Sequence, residues 1–305
     1  MKSLIEKIAY DLNLDPSYVS NIVDNSQFLY KSYYIPKKNG GERLVQQPSP
    51  ELKTLQYWVI ENILVFLPIS NAAMAYRKGS SIKKNALVHS DKSFILHTDI
   101  VDFFPSISSK SLELIINKSS SKIVHVHDYP DSFEVIKKIC FLKGHAIIGA
   151  VSSPMISNIV MYSFDDEVSS YAIKNGLSYT RYADDIYISS ARYISESIIC
   201  FVTDMLSKYH FTMNAKKTYF LSKKVKLCVT GLTVVGKNYV TINKKMKLLI
   251  RKLIYNKLVH NSGNSDVILG YLSFIKDIDV GYYNLLLTKY STYCSGDIIQ
   301  NLRKV

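Results

Sequence analysis

Asp184 and Asp185 stand side by side in Tyr182-Ala183-Asp184-Asp185, between two runs rich in Tyr, Ile and Thr at residues 177–181 and 186–189. That pattern predicts the arms of an antiparallel hairpin with the acid pair at its turn. Adjacent carboxylates repel each other unless a cation neutralises them. Hard oxygens at a tight turn suit Mg²⁺, which keeps waters and takes one or two protein carboxylates together with substrate phosphates. The same dipeptide also suits a solvated turn, so the upstream acid decides between the two. Residues 93–98 form an apolar, strand-like run ending in Asp99, followed by Asp102-Phe103-Phe104-Pro105. A carboxylate at one strand end and a pair on a neighbouring hairpin can hold two Mg²⁺ ions about 4 Å apart, stabilising both the attacking and the leaving oxygen in phosphoryl transfer. Asp99, Asp184 and Asp185 are therefore the candidate catalytic and metal-binding residues.

The elements that must position these acids carry further chemistry. Residues 31–47 read as a hairpin, with Tyr33-Tyr34-Ile35 as one arm, Lys37-Lys38-Asn39-Gly40-Gly41 as the turn and Arg43-Leu44-Val45 as the return. Asn-Gly is a strong hairpin signal. A basic loop beside a strand-borne Arg could clamp a triphosphate, because guanidinium offers phosphate a rigid fork of donors; a soluble turn dressed with Lys has the same composition. Gly149, with small residues at a helix start, permits close approach of backbone to a ligand. Residues 243–259 put Met246, Leu249, Ile250, Leu253, Ile254 and Leu258 at helical spacing as a packed stripe, with Lys244, Lys247 and Arg251 on the remaining face. Such a helix can track the phosphates of a duplex without reading bases. Residues 271–293 add helix rich in Tyr, some of it able to stack on bases.

The rest is scaffold. Residues 1–30 read as helical, with Leu4, Ile5, Ile8 and Leu12 on one face and Asp15-Pro16 opening a second helix. Residues 48–67 and 195–209 read as amphipathic helices. His125-Val126-His127 has no companion Cys or acid cluster to make a metal site.

Composition bounds the class. The chain has 305 residues, 47% hydrophobic and 21% charged, ordinary globular material with room for two or three domains. Residues 1–14 carry Lys2, Glu6, Lys7 and Asp11 in place of a signal peptide's apolar core. The most apolar stretch, 58–69, is interrupted by Glu61 and Asn62 and is too short to span a bilayer. Cys140, Cys200, Cys228 and Cys294 are scattered, which predicts free thiols and a cytoplasmic location. The net charge is +13, and from residue 216 onward sixteen Lys or Arg face four Asp and no Glu. A basic region of that density is the footprint of a nucleic-acid backbone. An anionic membrane surface is the other reading, and neither a lipidation signal nor an interfacial Trp supports it.

Asp99-x-x-x-Phe103-Phe104 followed by Tyr182-Ala183-Asp184-Asp185 resembles the palm of a reverse transcriptase. Asn85-Ala86-x-x-His89 ahead of the first Asp, and Val229-Thr230-Gly231 after the last, resemble the two hallmarks of the retron branch, and together they are far more specific than either alone. The likeness covers nearly the whole chain, from about residue 31 to the basic C-terminal region. It departs where the family has Pro-Gln-Gly-Ala-Pro-Ser-Ser-Pro and this chain has Ile147-Ile148-Gly149-Ala150-Val151-Ser152-Ser153-Pro154. The missing Gln normally contacts nucleotide or template, so the change bears on fidelity and nucleotide affinity, not on reaction class.

The resemblance implies an α+β, right-hand polymerase fold: N-terminal helices and fingers at 1–92, a palm at 93–228 with a fingers insertion at about 106–150, and a basic, RNA-binding helical thumb at 229–305. It implies an RNA-directed DNA polymerase using two Mg²⁺ ions, with Asp99 and Asp184 bridging them, Asp185 in support and the main chain of Ile100 as a further ligand. Arg43, Lys38 and the Gly149 segment would hold the deoxynucleoside triphosphate. Phe104 would lie under the sugar and exclude a 2′-OH. Lys217, in Asn214-x-x-Lys217-Thr218, would sit near the triphosphate and protonate the departing pyrophosphate. Asn85, His89, Val229, Thr230 and Gly231 would serve recognition of a cognate structured non-coding RNA, the template and primer. Priming from a guanosine 2′-OH to give branched RNA–DNA (msDNA), antiphage defence and a separate effector protein are what the family suggests, with no membrane partner. The alternatives are a group II intron-like reverse transcriptase, a catalytically decayed RNA-binding scaffold, and a phosphohydrolase built on the same acids.

Overall fold

In the computed structural model, residues 3–37, 40–118, 126, 128–224, 226–294 and 297–303 are described; Lys38, His125 and His127 lie outside them. The described strands are β1 (Tyr30–Pro36), β2 (Glu42–Pro48), β3 (Phe94–Asp99), β4 (Ser178–Tyr182), β5 (Asp185–Ser190), β6 (Tyr219–Ser222), β7 (Cys228–Val229), β8 (Leu232–Gly236) and β9 (Tyr239–Ile242). They form a β1-β2 ribbon, a four-stranded sheet of order β4-β5-β3-β6 and a β7-β8-β9 meander. The chain divides into two compact units, and it passes from one to the other inside β3, after His97, and inside β5, after Ile186.

The first unit comprises Met1–Gly79, Thr98–Ile186 and Ser195–Thr218. Its opening helix, Leu4–Leu12, starts at a capping box between Ser3 and Glu6 and stops where Asn13 turns left-handed. Asp15 then caps Pro16–Asp24, with Pro at the helix start. Leu4 and Ile8 of the expected face are buried, together with Ala9, whereas Ile5 and Leu12 are only partly buried. β1 and β2 pair antiparallel, with Tyr33 opposite Val45 and Ile35 opposite Arg43. The helix expected over 48–67 is shorter: it runs Pro50–Asn62 and gives way to a 3₁₀ turn, Leu64–Phe66. Asn62 turns its side-chain amide back to the Trp58 carbonyl at 2.9 Å, a local bond that competes with helix continuation. The break lets both Ile63 and Leu64 be buried.

The second unit comprises Ser80–His97, Tyr187–Ile194 and Tyr219–Val305. Its core joins Val229, Leu232 and Ile242 of the meander to Ile250, Ile254, Ile268, Leu272, Ile275 and Leu286 of the C-terminal helices. Those helices are Lys244–His260, Ser265–Ile278, Val280–Tyr290 and Ile298–Arg303. The expected stripe on the first of them is only partly correct. Ile250 and Ile254 are buried, but Leu249 is 44% exposed, because it lies one residue, about 100°, round the helix from Ile250. The buried face continues instead to Lys257. No helix among the described residues is long and apolar enough to cross a membrane.

Candidate active site

β4 and β5 are joined by a tight turn at Ala183 and Asp184, and Asp185 opens β5. Ala183 is left-handed (φ 57°) and buried, a conformation that costs a residue with a Cβ on the order of 1–2 kcal/mol. Surrounding bonds impose it. The fully buried guanidinium of Arg181 donates from Nη1 to the Ala183 carbonyl at 3.0 Å. Its Nε and Nη2 donate to the two Asp165 oxygens at 2.9 and 2.7 Å. Nη2 also reaches Asn158 Oδ1 at 3.3 Å, and the Tyr179 hydroxyl donates to Asp165 at 2.6 Å. Nothing in motif or spacing marks Arg181 or Asp165; each is an ordinary charge in an amphipathic run until the fold buries both.

Asp99 ends β3 beside this turn: the Ile100 N–H donates to the Asp184 carbonyl at 3.0 Å. Burial, and then the charges of Asp185 and Asp99, push the Asp184 carboxyl up to about 6. Three carboxylates thus share one electrostatic neighbourhood. The Asp99 carboxylate is 6% exposed and accepts from Lys217 Nζ at 2.8 Å and from Asn214 Nδ2 at 3.1 Å. That bond to Asp99 holds the Lys217 ammonium above the usual lysine range. Among the described residues no group of three His, Cys, Asp or Glu side chains converges closely enough to enclose an ion. A hard divalent cation would offset both the burial and the like charges that lift Asp184, so the donor chemistry suits Mg²⁺. The Asp99 side chain would have to exchange its Lys217 partner to join.

The proposed nucleotide residues differ in what they touch. Arg43 is exposed on β2, and its charge is felt by Tyr76, whose hydroxyl is pushed up by burial and by Asp184. Tyr76 thus feels both Arg43 and Asp184, a neighbour that no sequence motif indicates. The half-buried Phe104 ring stands 5.4 Å from Phe103 and 6.4 Å from Tyr76 between ring centres. Gly149 (φ 118°) makes its close approach to protein: a Cβ there would meet the Gln46 carbonyl oxygen at 2.5 Å, and Gln46 N–H donates to Ile148 at 2.8 Å. That glycine docks its loop on β2.

The proposed RNA-binding residues sort by burial. In the second unit, Asn85 and His89 lie in and after the helix Ile82–Val88 and are fully buried, as is Val229. His89 Nδ1 and Ser189 Oγ are hydrogen-bonded at 2.6 Å, and burial pushes the imidazole down to about 3. Thr230 and Gly231 form the two-residue turn between β7 and β8, both at positive φ, as a type I′ hairpin turn requires. Thr230 N–H donates to the Tyr187 hydroxyl at 3.1 Å, and its Oγ1 donates to the Ile82 carbonyl at 3.2 Å. On the basic helix Lys244 is exposed. Lys247 lies over the Tyr282 ring at 4.3 Å, and Arg251 Nε donates to the Tyr282 hydroxyl at 3.1 Å.

This assembly has known counterparts. A family model described as reverse transcriptase (RNA-dependent DNA polymerase) matches residues 35–234. The chain is 34% identical over 273 residues to the retron Ec73 reverse transcriptase of Escherichia coli, covering 85% of this chain and 86% of that one. It is 33% identical over 275 residues to the retron Ec83 enzyme of the same species, covering 86% of each chain, and 31% identical over 272 residues to the retron Ec86 enzyme, covering 88% and 82%. Among solved structures, a telomerase of Candida albicans in complex with a fragment of telomeric RNA matches with a TM-score of 0.51 at 14% identity, over 94% of this chain and 60% of that one. That likeness shows the fold, a mixed α and β reverse-transcriptase fold. The chain belongs to the reverse transcriptases, the RNA-dependent DNA polymerases, and within them to the retron reverse transcriptases.

Proposed function

We propose that this enzyme copies a cognate structured non-coding RNA into single-stranded DNA, starting from a guanosine 2′-OH of that RNA and yielding branched RNA–DNA. Asp99, Asp184 and Asp185 would hold two Mg²⁺ ions, with the Ile100 main chain beside them. When bound, the ions supply charge stabilisation at the attacking and leaving oxygens of nucleotidyl transfer. The observation that carries the site assignment is the Ile100 to Asp184 backbone bond, which sets the end of β3 against the acid turn.

The protein's own groups have separable roles in this reading. Arg43 binds the triphosphate, Phe104 excludes a 2′-OH, and Lys217, released from Asp99, is placed to give a proton to the leaving pyrophosphate. Asn85 and His89, being buried, serve RNA recognition through the second unit's packing, while the Thr230–Gly231 turn and Lys244 offer polar surface to RNA. The regions before residue 93, from 93 to 228 and from 229 onward act as fingers, palm and thumb. Antiphage defence with a separate effector protein is the biological role we infer from the retron relationship.

The test is expression with the native flanking locus, followed by extraction of nucleic acid from the wild type and from the Asp184→Asn, Asp185→Asn double variant. A short DNA joined to RNA, made only by the wild type, is the expected result. DNA synthesis by the double variant would overturn the metal assignment. Extension of a generic primed template without any branched species would retain the polymerase and remove the priming proposal.

A further inference from the structure

The buried positions of the helix Lys244–His260 are apolar, except one. Its buried face runs Ile250, Ile254, Lys257, a spacing of four and then three that keeps all three side chains on one side. Lys257 is only 9% exposed, yet no hydrogen bond or ion pair to it is found among the described residues. Its Nζ is not itself an enclosed atom, so it is the stem that is buried. A lysine can bury its stem and lead its charge to an opening, and here the opening is a cavity of about 390 Å³.

The walls of that cavity are polar. Besides Lys257 they include Arg303, Asn264, Ser265 and Asp266. The Ser265 hydroxyl oxygen is enclosed and has no hydrogen-bond partner among the described residues. Ser265 is also the first residue of the 14-residue helix Ser265–Ile278, whose dipole favours negative charge at that end. The helix amides are not the donors, because Asn264 Oδ1 already accepts from the N–H groups of Asp266 and Val267. The available donors are one ammonium, one guanidinium and one hydroxyl, set against the single carboxylate of Asp266.

We propose that this cavity is a binding site for a phosphate group, with the Lys257 ammonium as its charge, Arg303 at its mouth and Ser265 Oγ as a neutral donor. Guanidinium and ammonium together match the tetrahedral oxygens of phosphate. The phosphate can come from an RNA backbone or from a free phosphate or nucleotide. The pocket itself does not depend on the RNA-copying reading; only an RNA source for its phosphate rests on it.

The full chain and its Lys257→Met variant decide the matter in two arms. In the first, thermal unfolding is followed in inorganic phosphate and in chloride of equal ionic strength. Phosphate should raise the midpoint of the wild type and leave Lys257→Met unmoved. In the second, binding of a fixed RNA hairpin is measured across a salt series. Loss of one phosphate contact should lower the slope of log K against log salt by about one. A phosphate response with the slope lowered assigns the pocket to the RNA backbone; a phosphate response with the slope unchanged assigns it to free phosphate or nucleotide. No phosphate-specific response in the wild type overturns the proposal. If Lys257→Met fails to fold, Ser265→Ala and Arg303→Gln replace it, and an undiminished phosphate response in both overturns the proposal equally. DNA synthesis is read in neither arm, so failure of the polymerase reading would leave the phosphate result standing.

Discussion

Arg181 Nη1 donates to the main-chain carbonyl of Ala183 at 3.0 Å, so a guanidinium with no solvent exposure holds the left-handed residue that leads into Asp184 and Asp185. The same guanidinium is paired with Asp165, itself fully buried. A buried pair of this kind is weak support for stability as a pair but expensive to break from one side, about 3–5 kcal/mol. Asp165→Asn should therefore lower urea stability by that order. Arg181→Met with Asp165→Leu should recover much of the loss while still lacking the Ala183 bond. The double variant is expected to fold, bind RNA and extend a primer about 10²-fold more slowly, the scale of a misplacement near 1 Å. A wild-type extension rate in that variant would mean the turn needs nothing from Arg181.

Gly149 predicts a different failure. A Cβ there meets the Gln46 carbonyl oxygen at 2.5 Å, and the backbone sits at φ 118°, where L side chains are strained. Gly149→Ala is expected to cost about 1–3 kcal/mol by overpacking alone, read as a lower urea midpoint. Its loop docks on β2, which also carries Arg43, so KM for the deoxynucleotide should rise with it. An unchanged midpoint would mean the β1-β2 ribbon yields freely.

Phe104 is held by Phe103 and Tyr76. Phe104→Ala should narrow the preference for deoxy- over ribonucleotides by about tenfold or more, the scale on which small steric differences discriminate. Tyr76→Ala, removing one support of the ring, should narrow it less. Single-nucleotide incorporation of both substrate classes measures this. A preference unaltered in Phe104→Ala would remove the steric role.

His89 makes stability depend on pH. Its folded value, about 3, lies below the ordinary imidazole value near 6.5, so between them the unfolded chain binds the extra proton. Stability is then complete above pH 6.5 and declines as pH falls, by about 1.4 kcal/mol per unit until the folded value is reached. Urea unfolding at pH 7.5 and at pH 5.5 should differ by about 1.4 kcal/mol from this group. His89→Gln should remove that increment while lowering stability at both pH values, since it breaks the Ser189 bond. An equal pH slope in the variant would assign the dependence to other groups.

Local pattern was enough for the elements that carry the chemistry. Alternation and turn composition predict the β4–β5 hairpin with its acid pair, the strand ending in Asp99 and the β1-β2 ribbon, because a strand's period and a turn's residue types are properties of a few neighbouring residues. The helix start at Asp15-Pro16 and the basic C-terminal helix are legible for the same reason. What composition and spacing do not contain is which charges the fold withdraws from water. Arg181 and Asp165 are sixteen residues apart, and only the packing of the helix Tyr162–Lys174 on β4 turns two ordinary charges into the clamp on Ala183. Lys217 could be assigned to a triphosphate from its motif, but its bond to Asp99 spans 118 residues. Asn85 and His89 are tied to RNA recognition only by the resemblance, and both lie wholly inside. Lys257 and Leu249 exchange the places that a simple helical stripe assigns them, one buried and one exposed. Periodicity sets which residues share a face; which face is covered, and by what, is decided by distant parts of the chain arriving there.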